Sequence, residues 1–429
     1  MRVLVDLRPL KESPPFFRLW LGSGLSAVGT QMTTFAVALQ VFQLTHSSAA
    51  VGGIGLVAAV PSISVGLLGG SVVDSVDRRK LVLGTSSCLA VVSAAFAAQA
   101  FAGTGQLWLL YLLVAVQAAF GAVNAPARRT FLARLLPSDQ VHAGAALTML
   151  VGHVSLTAGP ALAGVLAAAG GLKFCYLVDV VSFVGALYGV ATLPPMPPQG
   201  EPLRPGLSAF FDGMRFIRAN SVLTGALLAD LSATVLGMPV ALFPAINAHR
   251  FGGNPQTLGL LTTALAVGGI IGSTLSGPIG RNARQGRTML VAGAIWGLGL
   301  VGFGFAGSLW LTLLCLVCAG TADVISVVSR TTIIQLATPD RFRGRVSAAE
   351  FVVGYGGPQL GNFRAGSIGS LTTPSISAVA GGAATFVGAA LLALAIPPFW
   401  RYRRPASDNA EAAAEPAAAT TPAPGSSIT

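Results

Sequence analysis

Three carboxylates interrupt long apolar runs: Asp179, Asp230 and Asp323. A charge at the centre of a bilayer costs roughly 2.5–3.5 kcal/mol on insertion scales, so an acid retained there is a candidate for carrying protons or holding a buried cation. Asp323 and Arg330 are seven residues apart and share a helix face, a spacing that serves a static ion pair near a pore mouth as readily as proton work. His153 is the one histidine well inside an apolar run; its titration near neutrality would suit a proton relay, and the plainer reading is a packing histidine. The other reactive types are scattered. Cys88, Cys175, Cys315 and Cys318 lie in or beside apolar runs, and His46, His142 and His249 stand apart, so no disulfide framework, metal set or nucleophile–base arrangement emerges. With no Gly-x-x-x-x-Gly-Lys-Ser/Thr loop for ATP, the expectation is a protein that is not an enzyme and holds no cofactor or metal.

The elements carrying these residues must be bilayer helices. The chain has 429 residues, of which 53% are hydrophobic and only 10% charged, against about a quarter charged in soluble domains. That excludes a water-soluble multidomain enzyme. Apolar runs between breakers predict twelve crossings, near 17–43, 49–73, 80–102, 107–125, 141–168, 172–193, 222–246, 257–280, 288–306, 308–330, 347–371 and 376–400. The net charge of +11 does not read as nucleic-acid binding, because no soluble fold is left to present a basic face. Instead, 23 of the 26 Lys and Arg fall in the termini and alternate loops, while only Lys173 and Arg250 fall in the opposite loops. Positive residues in short loops are retained on the cytoplasmic side, so both termini are expected in the cytoplasm of a multi-pass cell-membrane protein.

The chain divides into a six-helix half at 1–193, a linker at 194–221, a second six-helix half at 222–400 and a tail at 401–429. Phe210, Phe211, Met214 and Ile217 recur at helical spacing beside Arg215 and Arg218, predicting an amphipathic surface helix in the linker. The tail is too rich in Ala, Pro, Thr and Ser to bury a core and is expected to be disordered. The halves repeat. Gly159-Pro160 answers Gly357-Pro358 at an offset of 198, and Arg129-Thr130 answers Arg330-Thr331 at an offset of 201. Six crossings per copy is an even number, so the copies share one orientation. Gly-x-x-x-Gly pairs at Gly66/Gly70, Gly268/Gly272 and Gly293/Gly297 would let helices approach closely.

Over residues 6–400 the chain resembles the major facilitator superfamily, in particular its enterobactin-exporter-like and drug:proton antiporter branch. The resemblance is carried by Phe17-Arg18-Leu19-Trp20-Leu21, by Gly70 to Lys80, by Pro126-Ala127-Arg128-Arg129, by Pro339 to Val346 and by Gly356-Gly357-Pro358-Gln359-Leu360-Gly361. In the loop after the second span Gly70, Asp74, Arg78 and Arg79 match, while Ser75 and Asp77 depart from the family pattern. The resemblance implies an all-α membrane fold of two six-helix bundles, with spans one, four, seven and ten around a cavity. It puts Asp230 and Asp323 on the transport path and makes Asp179 a structural hydrogen-bond partner. Gln31, Thr34, Gln40, Tyr111, Gln117, Asn124, Ser232 and Thr234 become cavity candidates. Arg364 would face an anionic ligand or satisfy carbonyls where the eleventh helix breaks after Gly361. Asp74 with Arg78, Arg79, Arg129, Arg330 and Arg343 would form the gate, and Gly159, Pro160, Gly357 and Pro358 the packing motif. The function implied is proton-coupled efflux of an amphipathic small molecule, a drug or siderophore, by alternating access. A lipid or metabolite permease of the same fold is the alternative, and a non-transporting receptor the remote one. The partners expected are the substrate, protons and the bilayer, with the chain a monomer.

Overall fold

The computed structural model describes residues 6–68, 76–197, 207–280 and 282–403, among which the regular structure is helical throughout. Asp74, Gly70, Arg204, Arg281, Arg404 and the tail lie outside the described residues. Helices are what a bilayer permits, because backbone N–H and C=O groups find no water there and must pair within the segment. The first half contributes α1 (Pro14–Thr45), α2 (Ser48–Leu68), α3 (Arg78–Ala102), α4 (Leu107–Arg129), α5 (Val141–Gly170) and α6 (Leu172–Ala191). The linker helix α7 (Leu207–Ala219) leads into α8 (Ser221–Leu231), α9 (Phe243–Arg250), α10 (Pro255–Gly280), α11 (Gln285–Phe305), α12 (Leu309–Ala337), α13 (Arg343–Leu371) and α14 (Pro374–Ala395).

Local chemistry sets the ends. Ser13 accepts from Phe16 N at 3.3 Å ahead of α1, and Asn220 accepts from Val222 N at 3.0 Å and Leu223 N at 3.3 Å ahead of α8. Gly103 closes α3 at φ 64°, a left-handed conformation that glycine adopts without a Cβ clash. Large apolar side chains such as Val181, Trp310 and Leu394 are exposed, which suits a lipid environment.

Among the described residues, eleven segments are long and apolar enough to cross a membrane. The eleventh expected crossing, α13, is not among them: it has the length but is glycine-rich and carries Arg345, Glu350 and Arg364. The seventh expected span, 222–246, departs from a single helix. It runs as α8, a π-helical turn at Ser232–Leu236, a short 3-10 turn at Val240–Leu242 and then α9. Gly237, Pro239 and Pro244 explain the break, since proline offers no N–H and clashes with the preceding turn.

In the first half α1 packs on α5 and α6, and α3 on α4 and α6; in the second, α10 and α11 pack on α12, and α11 on α14. Two seams join the halves: α2 with α13, and α5 with α10. The α5–α10 seam is tight, since a Cβ at Gly164 would lie 2.7 Å from the Pro255 carbonyl oxygen. The repeated glycines do equivalent work: Gly159 lies against Gln31 of α1, and Gly357 against Thr234 beyond α8. Gly268 and Gly272 of α10 press on the α12 backbone, whereas Gly293 has open space around it. The helix α7 is not a free interfacial helix. Its Phe210, Met214 and Ile217 cluster with Val346 and Ala349 of α13, and the Phe216 ring stacks on Phe342 at 4.3 Å.

Candidate functional site

Asp230 sits one residue before the end of α8 and is 4% exposed. Two helices bring charge to it. Arg330 of α12 places Nη1 against Asp230 Oδ2, and its Nε lies 3.7 Å from Glu350 Oε1 of α13. Neither Asp230 Oδ2 nor Arg330 Nε has an aligned hydrogen bond, so proximity of opposite charges holds the cluster. A desolvated pair of this kind gives little net stability, yet removing one partner strands the other charge at a cost of about 3–5 kcal/mol.

Asp323, two turns earlier on α12, has both Asp230 and Arg330 as electrostatic neighbours but forms no ion pair among the described residues. The expected Asp323–Arg330 pair is therefore replaced by Asp230–Arg330. The reason is geometric: Arg330 reaches across to α8, which no spacing along α12 could reveal.

The π-turn after Asp230 leaves carbonyls out of the regular ladder, and neighbours collect them. Thr234 Oγ1 donates to Asp230 O at 2.8 Å, Trp296 Nε1 to Ala233 O at 3.3 Å and Arg364 Nη2 to Leu236 O at 2.5 Å. Asn362 Oδ1 accepts from Ala241 N at 3.1 Å. Arg364 thus serves a break in the seventh span; the eleventh helix, where a break was expected, is continuous through Pro358. π-Turns concentrate at functional sites, and this one follows the buried acid directly.

The other candidates divide by what they touch. Asp179, fully buried on α6, accepts from Thr33 of α1 and Ser93 of α3, both at 2.8 Å, and from Thr30 at 3.5 Å. Asn124 of α4 donates to Thr85 at 2.7 Å and Ser86 at 2.9 Å of α3, and Tyr111 to the Ala50 carbonyl of α2 at 2.7 Å. Gln40 exchanges hydrogen bonds with Gln99 and accepts from Tyr176. Thr34 bonds the Thr30 carbonyl on its own helix, Ser232 packs where a Cβ on Gly388 would sit, and Gln117 and His153 are half-buried. Asp179, Asn124, Tyr111 and Gln40 join helices within a half, and the structure does not gather these candidates at one site.

At the end bearing the basic loops, Arg79 donates to the Ala191 carbonyl at 2.5 Å, Arg343 pairs with Asp340 at 2.9 Å and Arg129 is exposed. Arg78 N bonds Met196 O at 3.1 Å. Three residues escaped the sequence reading. Glu350 is an acid in an apolar segment and met the criterion applied to the other three. Arg128, not its repeat-matched neighbour Arg129, is the cation turned inward, donating to Ser23 at 2.8 Å and Ser86 at 3.0 Å. Asp77, a departure from the family loop, caps α3 through Arg79 N and Lys80 N and accepts from Met196 N at 3.1 Å. Burial pushes its carboxyl up, but these three N–H donors outweigh that and hold it below the usual carboxylate range.

Two six-helix sets meeting along two seams form a fold shared with solved membrane transporters. A mutant form of the nucleoside transporter NupG superposes with a TM-score of 0.73 at 12% identity, over 89% of this chain and 99% of that one. A bacterial homologue of the iron transporter ferroportin, in an inward-facing state, gives 0.68 at 14% identity, over 90% and 98%. The sequence is more specific: residues 6–420 match the profile of the transmembrane secretion effectors, and the chain belongs to that family of major facilitator transporters. It is 28% identical over 404 residues to the enterobactin exporter EntS of Shigella flexneri, covering 94% of this chain and 96% of that one. With EntS of Citrobacter koseri it shares 27% over 407 residues, with the same coverage.

Proposed function

We propose that this transporter exports a small amphipathic molecule of the siderophore type across the inner membrane, driven by protons taken up at the Asp230–Arg330–Glu350 cluster. The substrate class rests on the EntS relatives, which match nearly the whole chain. The coupling role rests on the buried pair: Arg330 ties α8 to α12 and α13, so protonating Asp230 would loosen a contact among three helices of one half. Alternating access is supported by the seams at the end opposite the basic loops, where Ser47 Oγ and Ser370 Oγ are 3.2 Å apart and Ala49 N bonds Ser370 at 2.8 Å. If the basic end is cytoplasmic, as its charge argues, these contacts lie at the outward end.

Proteoliposomes with an imposed pH gradient test the coupling. Asp230→Asn is expected to lose uphill accumulation of a catecholate siderophore while retaining its downhill exchange, because the amide mimics a permanently protonated acid. Full gradient-driven accumulation by that variant overturns the assignment. The access argument has its own check. In a background lacking the four native cysteines, an oxidised Ser47→Cys/Ser370→Cys pair should stop transport and reduction should restore it; unimpaired transport of the cross-linked protein excludes opening at that end.

A further inference from the structure

On the outward face of the second half, α10 and α11 each pack along α12, and a groove of about 930 Å³ lies between them. It is apolar. Ile271 of α10, Val291 and Ile295 of α11, and Val317, Cys318 and Ile325 of α12 line it, and the first three are exposed, with none of the described residues covering them. The mouth at the basic end has the opposite character. Arg284 and Arg287 line both this groove and an adjoining cavity of about 280 Å³, whose other walls are Trp400, Arg401 and Arg403. The Arg287 guanidinium lies 5.6 Å from the centre of the Trp400 ring, which fixes one cation over an aromatic face. Among the described residues none of these four exposed arginines pairs with a carboxylate.

We propose that this groove is a binding site for an anionic glycerophospholipid, its phosphate held by Arg284 and Arg287 with Arg401 and Arg403 behind, and its acyl chain laid between α10 and α11. Charge complementarity and the long apolar extension argue for a lipid together, since a free anion would use the arginines and leave the groove empty. A tryptophan and a guanidinium stacked at the rim match the amphipathic headgroup level of a bilayer. The groove shares α12 with the charge cluster, but none of its lining residues is Asp230, Arg330 or Glu350.

Native mass spectrometry of the full-length protein in neutral detergent, titrated with phosphatidylglycerol or phosphatidylcholine, tests the proposal. Phosphatidylglycerol should be retained preferentially, and Arg284→Gln/Arg287→Gln should weaken its retention about tenfold or more. Arg215→Gln/Arg218→Gln, an equal loss of charge on α7, should leave it unchanged. Cys318→Phe, which fills the groove without touching the arginines, should also weaken retention. Equal retention of both lipids, an equal effect of the α7 variant, or full retention by Cys318→Phe would each overturn the proposal. So would complete displacement of the lipid by millimolar inorganic phosphate, which would leave an anion site without an acyl groove.

Discussion

Arg128 and Arg330 occupy matching places: each lies on the fourth crossing of its half and turns toward the first. What they meet differs. Arg128 donates to the hydroxyls of Ser23 and Ser86, whereas Arg330 meets the carboxylates of Asp230 and Glu350. A guanidinium on hydroxyls has no partner that titrates, so its network stays the same through any cycle of protonation. A guanidinium between two acids can lose its counter-charge one proton at a time. The duplicated fold thus keeps a cation in both halves and sets it against acids only in the second. The first half separates acid from cation again at Asp179, whose carboxylate accepts from hydroxyls and forms no ion pair among the described residues.

The largest expected difference follows from removing the two cations. Arg330→Gln strands two acids and should destabilise the protein by about 3–5 kcal/mol, while Arg128→Gln loses hydrogen bonds to neutral partners and should cost about 1–3 kcal/mol. Thermal unfolding in detergent compares them, and equal losses would erase the distinction between the halves. The double variant Asp230→Asn/Arg330→Gln should recover part of the loss, because a neutral pair avoids the uncompensated charge.

A smaller contrast separates the two buried acids. Asp179→Asn keeps an oxygen acceptor, and the hydroxyls of Thr30, Thr33 and Ser93 can rotate to accept from the new amide. Its cost should stay near 1 kcal/mol, with pH-driven transport intact in the same vesicles in which Asp230→Asn fails. Loss of coupling in Asp179→Asn would move the titrating role into the first half.

The spans and the repeat were legible because they rest on period, length and charge asymmetry, all local properties. The expected ends of α3 and α6, at 102 and 193, fall within two residues of those seen. The break near Gly237 was written in Gly237, Pro239 and Pro244, but the apolar composition around them masked it. The site was legible as a set of residue types and not as a set of pairs. Spacing placed Asp323 and Arg330 on one face correctly, yet the partner of Arg330 comes from α8, more than ninety residues away. The repeat likewise aligned Arg129 with Arg330 by adjacency to threonine, while burial picks Arg128 one position earlier. A helix turns about 100° per residue, so a one-residue error exchanges an inward for an outward side chain.

The smallest expected effect concerns the basic end, where the halves also differ. The turn entering α3 is strapped: Asp77 caps the helix with one oxygen and binds Met196 N with the other. The matching turn entering α11 begins at Arg284 without a side-chain cap. Asp77→Asn tests the strap alone, because asparagine caps helices as well as aspartate but presents an NH2 where Met196 N–H needs an acceptor. The folded carboxyl lies below its usual range, so the stabilisation it gives is fully present above about pH 4 and is lost as pH falls through the folded value. Hydrogen exchange of the segment 191–197 should therefore be faster in Asp77→Asn than in the wild type at neutral pH, with the gap closing in acid. A gap that persists below the folded pKa would mean that the N–H bonds do not depend on the charge, and the strap would then be a matter of packing.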